Sequence, residues 1–411
     1  MMRDALLATG LLFATFTQLR FSGLALGVGE MCLVGWIVLT FGHMIGRLSA
    51  PISLAVLQLS AFWLLIATAL CIGTLTAVMV GERNQQALFI HDIAAYALVA
   101  CMSVLAVSQA NAATRLRHVA WFLVLLGSAC LAVLLAQALD LMSTFGIELW
   151  FYDRLIGWST NANQLALLCL ILALLSCHLA ETTQRRDARL AALCCMGLPI
   201  WAGYLTRSDA FLLTLAFSLP GLVCLKCWRA LFAPVRLGLT LPAMLAVFAL
   251  PAILASSSPL VYALMGNALV EGPGPYANQA IERDFDSRTE LWEQAIARGL
   301  ESGMLGLGPG PHLTRPVGLS EPRFDALPDF EAHNTLVDMF LQGGLLAVAS
   351  LLWLGITTAR STLNANLCTL SILLIAVGGF ALTHFAMRHP IFWFVIALAL
   401  VASTAVPSRR A

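Results

Sequence analysis

Residues 331–340 read EAHNTLVDMF. His333 and Asn334 stand side by side where a long apolar run begins. An imidazole with an ordinary pKa of ~6.5 takes or gives a proton near neutrality. In a dry interfacial site it could orient and deprotonate an acceptor hydroxyl. The plainer reading makes His333 an interfacial side chain at a helix start, and the residues alone leave both open. Asn334, Asp338 and Gln342 recur every four residues, so they share one face of the helix that follows.

A second chemical stretch is DSRTELWEQAIARGL, residues 286–300. It reads as an amphipathic helix, with Ser287 and Glu290 at capping-box spacing and Gly299 placed as its stop. Leu291, Trp292, Ala295 and Ile296 make an apolar stripe that could lie on a membrane surface. Arg288 falls in the first turn, where a cation opposes the helix dipole. It makes sense there if an anion docks at the helix start, or if it pairs with Asp284 or Asp286. GMLGLGPGPHL follows, a glycine-rich run without the G-K-[ST] ending of a P-loop. Its glycines allow tight turns or a close backbone approach to a ligand. His312 and His333 are far apart and no acidic or cysteine cluster has metal-ligand spacing, so neither a metal nor another cofactor is implied. Cys224 and Cys227 form a lone C-x-x-C that reads as small apolar residues in a helix.

The elements that must hold these residues are membrane helices. The chain has 411 residues, 60% hydrophobic and only 11% charged, where soluble domains carry about 25% charge. A net charge of +1 implies no nucleic-acid partner. Apolar runs near the length that crosses a ~30 Å bilayer predict an all-α, polytopic bundle of about 12 spans. They fall near 5–19, 23–45, 52–80, 89–109, 118–139, 161–180, 190–205, 208–225, 237–263, 335–357, 363–386 and 389–406. The organisation is thus 1–263, a first membrane bundle; 264–334, one long loop with short helices; and 335–411, the last three spans. The apolar start of the chain reads as a retained first span.

With the N-terminus in the cytoplasm, thirteen basic residues fall in inside loops: Arg3, Arg47, Arg115, Arg117, Arg185, Arg186, Arg189, Lys226, Arg229, Arg236, Arg360, Arg409 and Arg410. Five fall in short outside loops: Arg20, Arg83, Arg154, Arg207 and Arg388. The positive-inside rule then puts both termini in the cytoplasm and 264–334 outside. On the same side lie Glu30, His91, Asp92, Asn163, the Thr206-Arg207-Ser208-Asp209 turn, His333, Asp338, His384, Arg388 and His389. A conducting path would spread such groups through the membrane, whereas a site opening on the outer leaflet gathers them. Polar residues also simply prefer span ends.

Four stretches together resemble the O-antigen ligase and O-antigen polymerase superfamily of bacterial membrane glycosyltransferases: NANQLALL, LTRSDAFLL, SRTELWEQAI with GMLGLGPG, and AHNTLVDMFLQGGLL. RHPIFW also fits, and the likeness runs from about residue 157. The resemblance implies an inner-membrane protein whose helices cradle a periplasmic site. It implies metal-independent, inverting transfer of a glycan from undecaprenyl diphosphate to an acceptor glycan or lipid A-core, among membrane lipids and other polysaccharide-assembly proteins. The family's loop histidine corresponds to His333 and its loop arginine to Arg288. Its intramembrane arginine corresponds loosely to Arg207, because here Arg precedes Ser and Asp209 follows. Arg388 is a third candidate for the diphosphate. Asn334, Asp338, Asn163 and Asp209 are candidates for binding or orienting the glycan. The loop 264–334 holds eleven acidic residues, five arginines and no lysine, which favours a polymerase over a ligase that meets a phosphorylated acceptor. The competing readings are a polysaccharide transporter or flippase, which calls for repeats and midplane charges, and a scaffold whose loop binds a partner.

Everything rests on the side of the membrane that residue 333 faces. A single cysteine at 333, in a variant otherwise free of reactive thiols, should react in intact cells with an impermeant maleimide; labelling only after lysis would overturn the orientation.

Overall fold

The computed structural model describes residues 2–21, 26–45, 52–82, 86–144, 146–231, 275–314 and 330–405. The expected span at 237–263 lies outside these. Twelve α-helices follow in order among the described residues: α1 (Met2–Phe13), α2 (Val28–Ile45), α3 (Leu54–Met79), α4 (Gln86–Ser108), α5 (Ala112–Ala138), α6 (Ala162–Thr182), α7 (Arg186–Leu205), α8 (Asp209–Leu231), α9 (Pro275–Glu301), α10 (Thr335–Asn364), α11 (Cys368–Ala381) and α12 (Pro390–Ala405). A two-residue hairpin, Trp150–Phe151 with Arg154–Leu155, precedes α6. Among the described residues, eight helices are long and apolar enough to cross a membrane: α2 to α8 and α10. The first expected span is a shorter helix, and a 3₁₀ turn at Thr17–Leu19 takes its last three residues.

The apolar pattern explains the layout. Residues 165–175 of α6 and 390–401 of α12 are buried all round, as expected of helices at a bundle centre. Trp393 of α12 packs against Phe62 and Trp63 of α3 at 5.1 and 4.4 Å. Outer helices turn one stripe to the core and leave another for lipid: α3 exposes Leu57, Leu64 and Leu75. Small polar links join neighbours where lipid tails would give no preference. Trp63 donates to Ser103 at 2.9 Å, and Ser128 to the carbonyl of Cys195 at 3.2 Å.

α10 is broken at Gly344, whose φ of 62° and ψ of −160° are open only to glycine. The glycine-rich run lies against the break. Leu307 N–H donates to the carbonyl of Leu341 and Gly308 N–H to that of Gln342, both at 2.8 Å. Leu345 N–H donates to the carbonyl of Met304 at 3.0 Å. These bonds occupy peptide groups that the break takes out of the helix ladder, a requirement in a bilayer. A Cβ on Gly306 would come within 2.5 Å of the Gln342 carbonyl, and one on Gly308 within 2.7 Å of Thr74 of α3. The close approach expected of these glycines is therefore to α10 and α3.

The stretch 286–300 differs from expectation at both ends. α9 is already helical from Pro275, so Ser287 and Glu290 are interior residues and form no capping box. Glu290 instead accepts from Gln294 at 3.2 Å. Arg288 is correspondingly about three turns inside the helix, and the helix-start anion argument for it fails. Gly299 is not the stop; it sits under Phe340, where a Cβ would fall 2.4 Å from the ring. The chain leaves the helix at Gly303 and Met304, both with positive φ. Leu291 and Ala295 are buried with Leu307, Leu341 and Ala77, while Ile296 is exposed. The stripe packs on protein.

Gly344→Ala should lower unfolding stability by about 2–3 kcal/mol, from the forbidden backbone region and a Cβ placed 2.1 Å from the Met304 carbonyl. Thermal unfolding in detergent measures this, and an unchanged midpoint would mean the break is dispensable.

Candidate active site at the head of α10

Asn334 caps α10, its Oδ1 accepting from Leu336 N–H at 3.0 Å and Val337 N–H at 3.3 Å. One turn on, the buried Asp338 carboxylate reaches back past the cap. Oδ1 accepts from Ala332 N–H at 2.7 Å and Oδ2 from Asn334 N–H at 3.1 Å. These amides flank His333, whose φ of 53° is in the left-handed region. The Trp292 indole N–H donates to the carbonyl of Ala332 at 2.8 Å. His333 is thus held in a rare conformation by three bonds to its neighbours' peptide groups. Asp338 and Asn334, expected either to bind substrate or to position His333, have the positioning geometry. Gln342, on the same face, accepts from Tyr96 of α4 at 2.6 Å.

The turn 382–389 docks on this corner. Thr335 Oγ1 donates to the carbonyl of His384 at 2.7 Å and accepts from Ala386 N–H at 2.9 Å. Arg388 splits its guanidinium between Asp92 of α4 and Glu331, two residues before His333. Burial works against the Arg388 charge, yet Glu331 and Asp92 raise its pKa above the ordinary arginine value. His384 Nε2 lies 3.2 Å from His389 Nε2. Burial, then His389, His333, Arg288 and Arg388, pushes the His384 pKa well below its usual value. That puts His333 and Arg288 within electrostatic range of the turn. Burial, then Arg388 and Arg20, brings His389 down to about 4. Two neutral imidazoles can share a single proton in that contact, one nitrogen donating and the other accepting.

The other candidates form separate groups. Asn163 Oδ1 accepts from Arg154 at 3.1 Å and Ser208 at 2.9 Å, tying the start of α6 to the α7–α8 turn. Arg207, with φ of 47°, pairs with Asp153 at an exposed position. Asp209 opens α8. Glu30 pairs with Arg20, in line with a structural role. His312 donates from Nε2 to the carbonyl of Gly308 at 2.9 Å and braces the glycine run. The residues that sequence reading missed are Glu331, Tyr96 and Thr335. Glu331 adjoins the AHN stretch, but nothing in the pattern linked it to Arg388, 57 positions away.

An all-α bundle with apolar spans and a histidine braced at a helix head defines a polytopic membrane protein with a polar site at one end. Residues 155–352 match the family model described as O-antigen ligase, a stretch that contains Arg207, Arg288 and His333. The match covers 198 of the 411 residues, a little under half of the chain, and over that segment the chain is similar to the O-antigen ligase family. A search of curated proteins gave no match.

Asp338→Asn keeps the shape but sets an amide NH₂ against a backbone N–H. It should cost about 1–3 kcal/mol in detergent unfolding, with membrane insertion retained. A second test is pH. His389 binds protons more weakly when folded, with a pKa of about 4 against an ordinary 6.5, so its contribution to stability is full above pH 6.5 and falls as pH drops toward 4. Thermal unfolding should show a loss of about 2 kcal/mol from His389 alone between pH 7 and pH 5, and His389→Gln should make that part of the profile shallower.

Proposed function

We propose that the protein transfers a glycan from undecaprenyl diphosphate to an acceptor sugar hydroxyl on the periplasmic side of the bacterial inner membrane, in O-antigen or exopolysaccharide assembly. His333 is the general base. It takes the acceptor hydroxyl's proton as that oxygen bonds to the anomeric carbon. The bond from that carbon to the diphosphate oxygen breaks on the opposite face, so the configuration inverts. Undecaprenyl diphosphate leaves with the bonding pair, and a guanidinium meets its charge. Arg288 fills that role, one helical turn from Trp292, whose indole is bonded beside His333. No metal takes part in this scheme.

The observation that carries the reading is the bracing of His333. A left-handed turn at a non-glycine residue costs of order 1–3 kcal/mol, and a surface imidazole needs none of it. Placing a base against an acceptor does.

Arg388 is assigned a different task from the phosphate contact expected of it. Asp92 and Glu331 already hold both its terminal nitrogens, so it fixes the segment before His333 to α4. Arg207 and Asp209 lie in a separate group with Asn163 nearby, and a direct part for them in the chemistry rests on the resemblance alone. The acidic loop favours chain growth over transfer to a phosphorylated lipid core. A broken helix is also a feature of transporters, where the unwound backbone coordinates cargo. Here 304–308 occupies peptide groups of the break, which supports the enzyme.

His333→Ala and Arg288→Ala should leave the protein inserted and folded while lowering product formation from a reconstituted lipid-linked oligosaccharide by at least about 100-fold. Wild-type rates from both variants would end the mechanism. Whether the wild-type product lengthens or moves to another lipid separates polymerase from ligase.

A further inference from the structure

His91 and Asp92 are neighbours near the head of α4, and the mechanism above uses neither beyond the bond from Arg388 to Asp92. Successive side chains on a helix diverge and do not normally meet. Here His91 Nδ1 lies 3.1 Å from Asp92 Oδ1. The Asp92 side chain is 1% exposed and that of His91 38% exposed.

The chemistry of this contact fixes the ring. Arg388 donates to the same Oδ1, so Asp92 is a carboxylate and can only accept. The hydrogen in the contact therefore sits on His91 Nδ1, and the neutral ring carries its lone pair on Nε2. A carboxylate behind an imidazole holds the tautomer and orientation in this way where the other nitrogen has work to do. Among the described residues, no hydrogen bond engages His91 Nε2. Asp92 Oδ2 is buried and accepts no bond either. A clamp that only tied α4 to Arg388 calls for neither the oriented imidazole nor the unmet carboxylate oxygen.

Two links place this pair beside His333. Tyr96, one turn after Asp92, donates to Gln342 of α10 at 2.6 Å, and Gln342 is one turn after Asp338. Asp92 is thereby level with Asp338, and His91 with Val337, about 6 Å along the axis from His333 at ~1.5 Å per residue. Arg388 joins Asp92 to Glu331, two residues before His333. Inverting transfer sets the leaving group and the acceptor on opposite faces of the anomeric carbon. The leaving group is assigned to Arg288 of α9, so recognition of the acceptor falls to another element, and α4 is the one fastened to Glu331.

We propose that His91 is an acceptor-binding residue: Nε2 accepts a hydrogen bond from a hydroxyl of the acceptor sugar while Asp92 holds the imidazole. The assignment rests on the transfer reaction proposed above. A sugar hydroxyl brings the donor that a bare imidazole nitrogen needs, and an ionised phosphate does not.

The probe is the lipid-free oligosaccharide released by mild acid from the lipid-linked oligosaccharide, offered to the full-length protein in detergent. Its affinity is measured without donor, and its KM as acceptor with the lipid-linked donor present. His91→Asn places an amide NH₂ near the Nδ1 position, which keeps the bond to Asp92 and removes the acceptor. It should weaken oligosaccharide binding and raise the acceptor KM about fivefold, the worth of one hydrogen bond, with the donor KM unchanged. His91→Gln reaches the Nε2 position with an amide oxygen and should bind more tightly than His91→Asn; an imidazole that only braces Asp92 gives the reverse order. In the wild type, diethyl pyrocarbonate should modify His91, and saturating oligosaccharide should protect it, as read by peptide mass spectrometry. Modification of the wild type that the oligosaccharide leaves unchanged overturns the proposal without any variant. So does unchanged binding in a folded His91→Asn protein, or a rise confined to the donor KM. Protection without any product from the lipid-linked donor sinks the reaction and leaves the glycan contact, whereas product without protection sinks the contact and leaves the reaction.

Discussion

A helix that is interrupted inside an apolar bundle leaves peptide groups that water cannot reach, and this constraint organises the protein. α10 is interrupted at Gly344. The segment 304–308 meets the carbonyls of Leu341 and Gln342 and the amide of Leu345. To lie there it must follow α9 closely, and its glycines must come against α3 and α10. That placement brings Trp292 of α9 to the carbonyl of Ala332. The site is therefore a by-product of repairing a broken helix. The segment after α9 and the membrane bundle are joined by backbone bonds, which tolerate little change of side chain.

The second organising element is the Asp338 carboxylate. Two amides, one on each side of His333, converge on it. A buried carboxylate is costly unless such donors surround it. Arg388 repeats the device with the signs exchanged, one cation between Asp92 and Glu331. Together they lock the chain before and after His333 onto α10 and α4, while Thr335 fastens the turn 382–389 to the same corner. The backbone on both sides of the imidazole is thus fixed by these bonds.

The fold could be read from the sequence to a large extent because apolar run length is a strong signal in a membrane protein. Eleven expected spans have helical counterparts, and the twelfth lies outside the described residues. What misled was local. Ser287 and Glu290 have the spacing of a cap, but the helix starts twelve residues earlier, at Pro275. Spacing cannot tell a cap from two polar residues inside a helix. Within the site, Asn334, Asp338 and His333 could be named because they are adjacent. The couplings Trp292–Ala332, Tyr96–Gln342 and Arg388–Glu331 could not, because they span 40, 246 and 57 positions. Arg388 shows the limit well: its charge suggested a ligand, and the fold supplies two carboxylates.

Chain order gives the docked turn a further meaning. Asp92, Trp292, Glu331 and Thr335 are all synthesised before residues 382–389 that complete their surroundings. Until the hairpin of α11 and α12 is inserted, Glu331 and Asp92 are two acids without their shared cation, and the head of α10 lacks the turn it fastens. A nascent chain thus carries every earlier part of the site and cannot close it. The corner around His333 is completed only with the last hairpin.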